Sequence, residues 1–479
     1  MWRRAGLLLG VVACAALCVL PNPLRDIPGA GDRPARAAGV ALLMALWWLT
    51  DALPIGVTAC VPLVAFPLLG VFGGGFVNGM AGAAAPYVDA YIFLFLGGMV
   101  LGAAMEETGL HRRVALQIMT AVGTDPPRLL LGMLLATAMV SLWISNTATA
   151  VMMCPIALAL VRQLEAQAGG GRLQAYGGSI MLAVAYGANV GGIGTKIGTG
   201  TNSIFCGYAS RVLHRDIGFF EYVAAALPFV LLLLPVCWLF LWLSGRRDAP
   251  RSGTGRDTLR AALTALGPMG RGERQVALVF SVAAVAWMLG DVLKDVIAPH
   301  VPAPWPGFRF QGKHYEATVA MLAGATVLAL GRVSWPTLKR VPWDTLLLLG
   351  GSFAMAAGLE TSGFSTWLAG QLRGLQDQPV AVQYGVVALS TVALSAVASN
   401  TATINVMLNV LPPSLPLLFS ATVAASCDFA LPAGTPPNAI VFGSGYVRLP
   451  VMMRTGALLD VVAALLVAVY AATWVSWIL

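Results

Sequence analysis

From Gln378 to Cys427 the chain runs for 50 residues without a charged side chain, and from Leu129 to Val161 for 33. A helix that is apolar on every side has no face to turn toward water, so it lies inside a large protein or in a bilayer. The composition decides between the two. Only 10% of the 479 residues are charged and 58% are hydrophobic, with a mean hydropathy of +0.79, whereas a soluble domain carries about 25% charged residues. That is too little polar surface to coat soluble globules, so the chain reads as an all-α polytopic membrane protein. The same deficit excludes intrinsic disorder. Nucleic-acid binding is excluded as well: the formal charge is +8, but the basic residues are scattered through short loops and form no stripe.

A crossing helix needs about 20 apolar residues at about 1.5 Å rise each. Eleven stretches are expected to cross, near 5–21, 36–51, 54–73, 90–110, 177–213, 221–244, 274–295, 314–331, 343–370, 417–447 and 452–478; those at 177–213 and 417–447 are interrupted. Met1 to Leu20, with Arg3 and Arg4 ahead of an apolar run, also has the look of a signal peptide. The embedded character of everything downstream favours a first crossing helix. The seven cysteines lie nearly all in apolar runs without CxxC spacing and read as buried thiols, and the four histidines form no metal-ligand pattern.

The two uncharged stretches do not fit single crossings. Each carries Ser-Asn-Thr-Ala-Thr near its middle, at 145–149 and 399–403. In the first, limbs of about 12–16 residues flank the motif, too short for a hydrocarbon core of about 30 Å. Arg128 and Arg162 bracket it, and basic flanks mark the cytoplasmic side. A re-entrant hairpin is therefore expected, with its tip near mid-membrane, where irregular backbone is tolerated only if buried in protein or lining a cavity. With the N-terminus cytoplasmic, 19 Lys and Arg fall on cytoplasmic segments and 9 on external ones, with Lys196 left inside the membrane. The C-terminus is then external, the second hairpin has both ends outside, and the basic cluster Arg246 to Arg274 forms a cytoplasmic loop. The expected location is the cytoplasmic membrane, crossed many times.

The halves match each other. Phe95-Leu-Gly-Gly and Glu107-Thr-Gly-Leu are echoed by Leu348-Leu-Gly-Gly and Glu360-Thr-Ser-Gly-Phe. Ser141-x-x-x-Ser145-Asn-Thr-Ala-Thr recurs 254 residues later as Ser395-x-x-x-Ser399-Asn-Thr-Ala-Thr, and Gly198-Thr-Gly-Thr-Asn202 pairs with Gly434-Thr-Pro-Pro-Asn438. Three motifs in one order point to a duplication. An odd number of crossings between the copies makes the repeats inverted, as in many secondary transporters.

The motifs have a chemistry. Ser141 and Ser145, like Ser395 and Ser399, are four apart and would share a helix face. Hydroxyls, an Asn amide and freed carbonyls at a tip are neutral oxygen ligands suited to a small hard cation such as Na⁺. Ser, Asn and Thr also cap the following helix, and two helix N-termini meeting at the midplane present N–H groups to an anion. The same residues can instead serve only as caps or as hydrogen bonds between helices. The loops at 191–203 and 431–438 interrupt helices through Gly191, Gly192, Gly194, Gly198, Gly200, Pro432, Pro436 and Pro437. The first is not a phosphate-binding loop, since Thr195 precedes Lys196 and Ile197 follows it. Gly194 and Gly198 also make a GxxxG, which reads as helix packing. Lys196 and Asp428 are charges inside the membrane and candidates for coupling. Lys196 either lies beside a cation site and repels Na⁺, or snorkels to a water-filled vestibule; the intact oxygen positions of both repeats favour the vestibule. Asp428 is a candidate partner for it.

At these residues the sequence resembles the divalent anion/sodium symporter family, carriers of succinate, malate, citrate and related dianions. The resemblance rests on Ser-Asn-Thr at 145–147 and 399–401, on Gly192-Ile-Gly-Thr with Gly198-Thr, and on Gly434-Thr-Pro-Pro-Asn-Ala-Ile-Val-Phe-Gly-Ser-Gly445. It spans roughly 40–479. It implies eleven crossing helices, two re-entrant hairpins, and a homodimer with elevator-type alternating access. It further implies scaffold helices at 1–127 and 274–372, transport regions at 128–244 and 373–479, and a linker at 245–273.

By carry-over, one sodium ion would use Ser141, Ser145, Asn146 and the Gly194 carbonyl, and a second Ser395, Ala398, Asn400 and the Gly434 carbonyl. Ser145, Asn146, Thr147, Ser399, Asn400, Thr401, Thr435 and Pro436 would hold the substrate carboxylates. No organic cofactor is implied. Gly200-Thr201 stand where the family commonly has prolines. The expected activity is sodium-coupled symport of C4-dicarboxylates such as succinate, malate or fumarate, or of related di- and tricarboxylates. The alternative is sodium-independent dicarboxylate exchange. An intramembrane enzyme is disfavoured, since no Ser/His/Asp set, metal cluster or paired acids occur in membrane segments.

The charge bracketing gives a direct test. Single cysteines at Arg128 and Arg162 are expected to react with impermeant reagents only from the cytoplasmic side, and those at Asp377 and Ser414 only from outside. Labelling of 128 and 162 from opposite sides would mean a full crossing.

Overall fold

The computed structural model describes residues 2–25, 27, 29–167, 171–250, 255–302, 309–371, 377–432 and 434–479. The domain boundary expected at 372–373 and part of the basic linker, 251–254, fall outside them. Among the described residues the chain is helical, with no strand beyond a single bridge between Ile27 and Gly31. Among the described residues five helical segments are long and apolar enough to span a bilayer: Gly75–Thr108, Asn146–Gln167, Phe219–Asp248, Val380–Val397 and Leu449–Ile478. Their outward faces stay apolar. Leu231, Leu232, Leu239 and Leu243 of the Phe219–Gly245 helix are each at least 46% exposed, a surface that only hydrocarbon solvates cheaply. The chain is an integral, multi-pass membrane protein.

Several expected crossings are in pieces, and local chemistry explains three of the breaks. The stretch at 274–295 becomes Arg271–Met288 and a second limb from Gly290, bent by 80°. Leu289 leaves helical geometry there, and Gly290-Asp-Val-Leu-Lys-Asp is amphipathic instead of apolar. The helix Ala90–Thr108 stops at Gly109 (φ 78°), whose N–H bonds to the Glu106 carbonyl. Trp343–Ser362 stops in the same way at Gly363 (φ 87°), bonded to Glu360. Counted from these end glycines, Glu360 aligns with Glu106; counted from Gly97-Gly98 and Gly350-Gly351 it aligns with Glu107, so the first helix is one residue shorter between the two marks. Glu107 instead accepts a hydrogen bond from the Ser334 N–H at 2.7 Å.

Both Ser-Asn-Thr motifs sit at breaks between two helices. The first pair is Pro126–Ser141 and Asn146–Gln167, and the second Val380–Val397 and Asn400–Val410. The limb after the first motif has 22 residues, more than expected, because the helix continues past Arg162 through polar residues to Gln167. The limb after the second has 11 residues, about 16 Å at helical rise and far short of a crossing. In the first pair both outer ends lie at one end of the bundle. The Tyr176 hydroxyl donates to the Pro126 carbonyl at 2.7 Å, while the Leu173 N–H, one turn earlier, donates to Glu165 at 2.9 Å.

The interrupted stretches are Gln174–Gly192 followed by Gly200–Val212, and Leu415–Ser426 followed by Pro436–Phe442. Gly194 and Gly198 lie in the first non-helical gap, so their GxxxG does not pack a helix. Gly187 and Gly191 do that. A Cβ on Gly191 would sit 2.3 Å from the Ala138 carbonyl oxygen, and one on Gly187 2.7 Å from that of Leu134. The Gln174–Gly192 helix therefore touches Pro126–Ser141 backbone to backbone, the close approach that small residues four apart permit. Gly191→Ala is expected to destabilise the protein by about 1–3 kcal/mol through overpacking, while Gly171→Ala, with nothing within 4 Å of the added methyl, leaves the melting temperature unchanged. Thermal melting of the detergent-purified variants checks both.

Candidate functional site

Each tip is built from a helix C-terminus, a short turn and a capped helix N-terminus. Ser141 closes its helix, and its hydroxyl lies 2.7 Å from the Ala188 carbonyl oxygen and 3.0 Å from Asn146 Oδ1. In the second half the Ser395 hydroxyl lies 2.7 Å from the Ala425 carbonyl oxygen and 2.9 Å from Asn400 Oδ1. Ser399 caps the next helix, its Oγ accepting from the Ala402 N–H at 3.2 Å; Ser145 makes the weaker equivalent contact with Ala148 N at 3.4 Å. The two serines of each motif therefore do not share a helix face, because the break falls between them. One serine tethers the tip to the neighbouring interrupted helix and the other starts the next one.

The loops repeat with equal fidelity. The Asn202 amide donates to the carbonyls of Gly192 at 2.8 Å and Thr195 at 2.7 Å, ten and seven residues back. The Asn438 amide donates to Asp428 at 3.2 Å and Leu431 at 3.0 Å, again ten and seven residues back. One side chain thus satisfies the carbonyls that each broken helix frees, which the interior of a membrane protein requires. The halves are also tied to each other. The Asn189 amide donates to Thr435 Oγ1 at 3.1 Å and to the Asp428 carbonyl at 3.2 Å, and the hydroxyls of Thr201 and Ser426 lie 3.2 Å apart.

Ser141, Asn146 and the first loop converge: a Cβ on Gly192 would meet Asn146 Oδ1 at 2.1 Å, and one on Gly194 would meet the Leu142 side chain. In the second half Ser395, Ala398, Ser399 and Asn400 gather at the tip, while Gly434 lies against Asp428. The residues are layered by exposure. Ser141, Ser395, Ala398, Gly434 and Thr435 are buried. Ser145, Asn146, Asn400 and Thr401 are half-buried, and Thr147, Ser399 and Pro436 are exposed. Polar groups at a helix break thus pass from closed tethers to free donors and acceptors. A small cavity of about 60 Å³ beside the first tip is lined by Gly98, Glu106, Ser145, Ile197 and Arg340, among others.

Lys196 does not reach a vestibule. It is fully buried, and its ammonium donates to Glu316 Oε1 at 2.9 Å, to Oε2 at 2.7 Å and to the Ile217 carbonyl. The Tyr91 ring lies over it at 5.5 Å, and the Trp287 indole N–H donates to the Glu316 carbonyl at 3.1 Å. Nor is Asp428 its partner: Asp428 is fully buried with neither carboxylate oxygen hydrogen-bonded. Sequence reasoning missed Glu316, Asn189 and Ser426. Glu316 is the single acid of the Gly312–Ala329 helix, and Asn189 the single amide of an otherwise apolar and glycine-rich helix end; solitary polar residues in such runs were the available signal.

Two broken helix pairs and two interrupted helices interlock in one helical membrane bundle. Solved structures share this fold. The YdaH transporter of Alcanivorax borkumensis matches with a TM-score of 0.53 at 16% identity, over 99% of this chain and 97% of that one. MtrF of Neisseria gonorrhoeae matches with a TM-score of 0.55 at 11% identity, over 98% and 94%. The family profile described as the sodium:sulfate symporter transmembrane region matches residues 2–479. A protein named sodium-dependent dicarboxylate transporter SdcS in Staphylococcus saprophyticus is 31% identical over 492 residues, covering 98% of this chain and 92% of the relative. Its namesake in Staphylococcus aureus is 31% identical over 484 residues, covering 96% and 89%. The chain belongs to the sodium:sulfate symporter family, the divalent anion/sodium symporters, and is a transporter and not an enzyme.

The buried ion pair is open to test. Removing one partner leaves an uncompensated buried charge, which costs about 3–5 kcal/mol. Lys196→Gln or Glu316→Gln alone is expected to lower the melting temperature sharply, and the double variant to recover much of the loss. Equal destabilisation in all three would show that the charges do not compensate each other.

Proposed function

We propose that the chain is a secondary active transporter that moves a C4-dicarboxylate (succinate, malate, fumarate or a related di- or tricarboxylate) together with sodium ions. The observation that carries this reading is the duplicated nest of Ser hydroxyl, Asn amide oxygen and backbone carbonyl, at Ser141/Asn146 with Ala188 and at Ser395/Asn400 with Ala425. Such neutral oxygens suit Na⁺. The relatives' printed name, sodium-dependent dicarboxylate transporter, supports the substrate class.

In this reading Ser141, Ser145, Asn146 and the Gly194 carbonyl hold one sodium ion, and Ser395, Ala398, Asn400 and the Gly434 carbonyl a second. The exposed and half-buried layer, Ser145, Asn146, Thr147, Ser399, Asn400, Thr401 and Pro436 with Thr435 behind them, meets the carboxylates. Bound cations between two tips offset the charge of a dianion that the hydrocarbon would otherwise reject. The broken helix pairs act as re-entrant hairpins of an inverted repeat. The regions 128–244 and 373–479 move against 1–127 and 274–372 as an elevator, in a homodimer of the cytoplasmic membrane with the N-terminus inside. Because Glu316 neutralises Lys196, the repulsion that would have turned the first cation site toward sodium-free exchange is removed.

Purified protein in liposomes with an inward sodium gradient should accumulate labelled succinate, and replacing sodium by choline should abolish accumulation. Uptake indifferent to sodium but stimulated by internal dicarboxylate would instead establish exchange. In the same assay Asn146→Ala and Asn400→Ala are expected to weaken transport roughly five- to a hundred-fold, since a truncated amide leaves buried partners unpaired at about 1–3 kcal/mol. Near wild-type uptake for both, at matched insertion, would remove the tips from the site.

A further inference from the structure

Nine buried side-chain polar atoms among the described residues lack a hydrogen-bond partner, and three of them are oxygens of two neighbouring residues: Asp428 Oδ1 and Oδ2, and Asn189 Oδ1. Both residues are fully buried. The Asn189 amide is engaged through its nitrogen. Its nitrogen already serves the Asp428 carbonyl at 3.2 Å, Thr435 Oγ1 at 3.1 Å and Asn438 Oδ1 at 3.5 Å. Its oxygen is left as a further acceptor. Asp428 Oδ2 presses on Gly434, where even a methyl group would collide with it at 1.8 Å, so the carboxylate points at the backbone of the second loop and not away from it. The next acid, Asp460, accepts from the Phe429 N–H at 2.8 Å and adds a second carboxylate to the same region.

A buried carboxylate with no hydrogen-bond donor among the described residues lacks an electropositive partner. Oxygen ligands that include one carboxylate and one amide select a hard cation. We infer that Asp428 and Asn189 ligate a sodium ion beside Gly434, so that the second half carries a carboxylate-liganded cation site where the first half has Gly192 at the matching position of its loop. The inference rests on the sodium-coupled reading and adds to it a negatively charged ligand, held by the loop that contains the Gly434 carbonyl. Asn189 belongs to the first half, so such an ion also clamps the two interrupted helices together.

The test is the sodium dependence of thermal stability of the detergent-purified protein, at constant ionic strength with choline as the replacement. A ligand that binds only the folded state raises the melting temperature saturably. Wild-type protein should show that response. In Asp428→Asn, an isosteric change, the half-effective sodium concentration should rise at least about tenfold, because a unit charge at about 4 Å is worth up to about a thousandfold at an effective dielectric of 20. An unchanged sodium response in Asp428→Asn would overturn the site and leave water as the occupant, with sodium coupling through the tips intact. No sodium response in the wild type would overturn the site and the sodium-coupled reading together. Should Asp428→Asn fail to fold, crystals of the wild type in thallium(I) decide. An anomalous peak in contact with the Asp428 carboxylate supports the site, and peaks confined to Ser141/Asn146 and Ser395/Asn400 overturn it.

Discussion

Hydrocarbon offers no hydrogen bonds, so a helix can be broken inside a membrane only where other groups of the protein take over the freed carbonyls. The rest of this structure depends on how two asparagines meet that condition. Asn202 and Asn438 each reach back ten and seven residues to close a loop with the same hydrogen-bond spacing. Without those amides, the gaps after Gly192 and after Ser426 would expose unpaired carbonyls at a depth where each is expensive. With them, backbone and side chains of the loops can face the tips, and the tips can be tied in turn by Ser141 and Ser395 to Ala188 and Ala425.

The two halves solve the same problem with different sequences. Gly200-Thr201 open the helix after the first gap, and Pro436-Pro437 the helix after the second. Proline at the first helical positions is pre-set for the turn and lacks only N–H groups that would be unpaired anyway. The glycine and threonine of the first half use a side-chain link in place of rigidity, through Thr201 to Ser426. That link, with Asn189 to Thr435, joins the repeats into one polar centre. Around it lies a large apolar packing in which Trp143, Phe219 and Trp287 stack at ring separations of 5.3–6.4 Å.

Much of this was legible in the sequence because it is local. A Ser-Asn-Thr in the middle of an uncharged run has to mark a break, and the repetition of that run 254 residues on has to mark a second one. Positions of single helix ends were less legible. Glu107 and Glu360 match when counted from the Gly-Gly pairs, but the left-handed glycine that ends each helix bonds to Glu106 in one and Glu360 in the other. The serine spacing read as one helix face turned out to straddle a break. The partner of Lys196 was not legible at all: Glu316 lies 120 residues away on a helix whose composition gives no hint of which way its one acid points. Long-range pairing of solitary charges is a property of packing, and packing is what a single sequence shows least.

The Lys196–Glu316 pair also has a kinetic side. It joins the first interrupted loop to the Gly312–Ala329 helix, and Tyr91, Trp287 and the Ile217 carbonyl complete its shell. Any displacement of that loop along that helix by more than about an ion-pair length separates two opposite charges where the dielectric is low and the attraction correspondingly steep. In the proposed elevator motion the pair would act as a friction element: it would set an activation enthalpy for the stroke, slow the cycle in the cold, and make the turnover number rise more steeply with temperature than the affinity does.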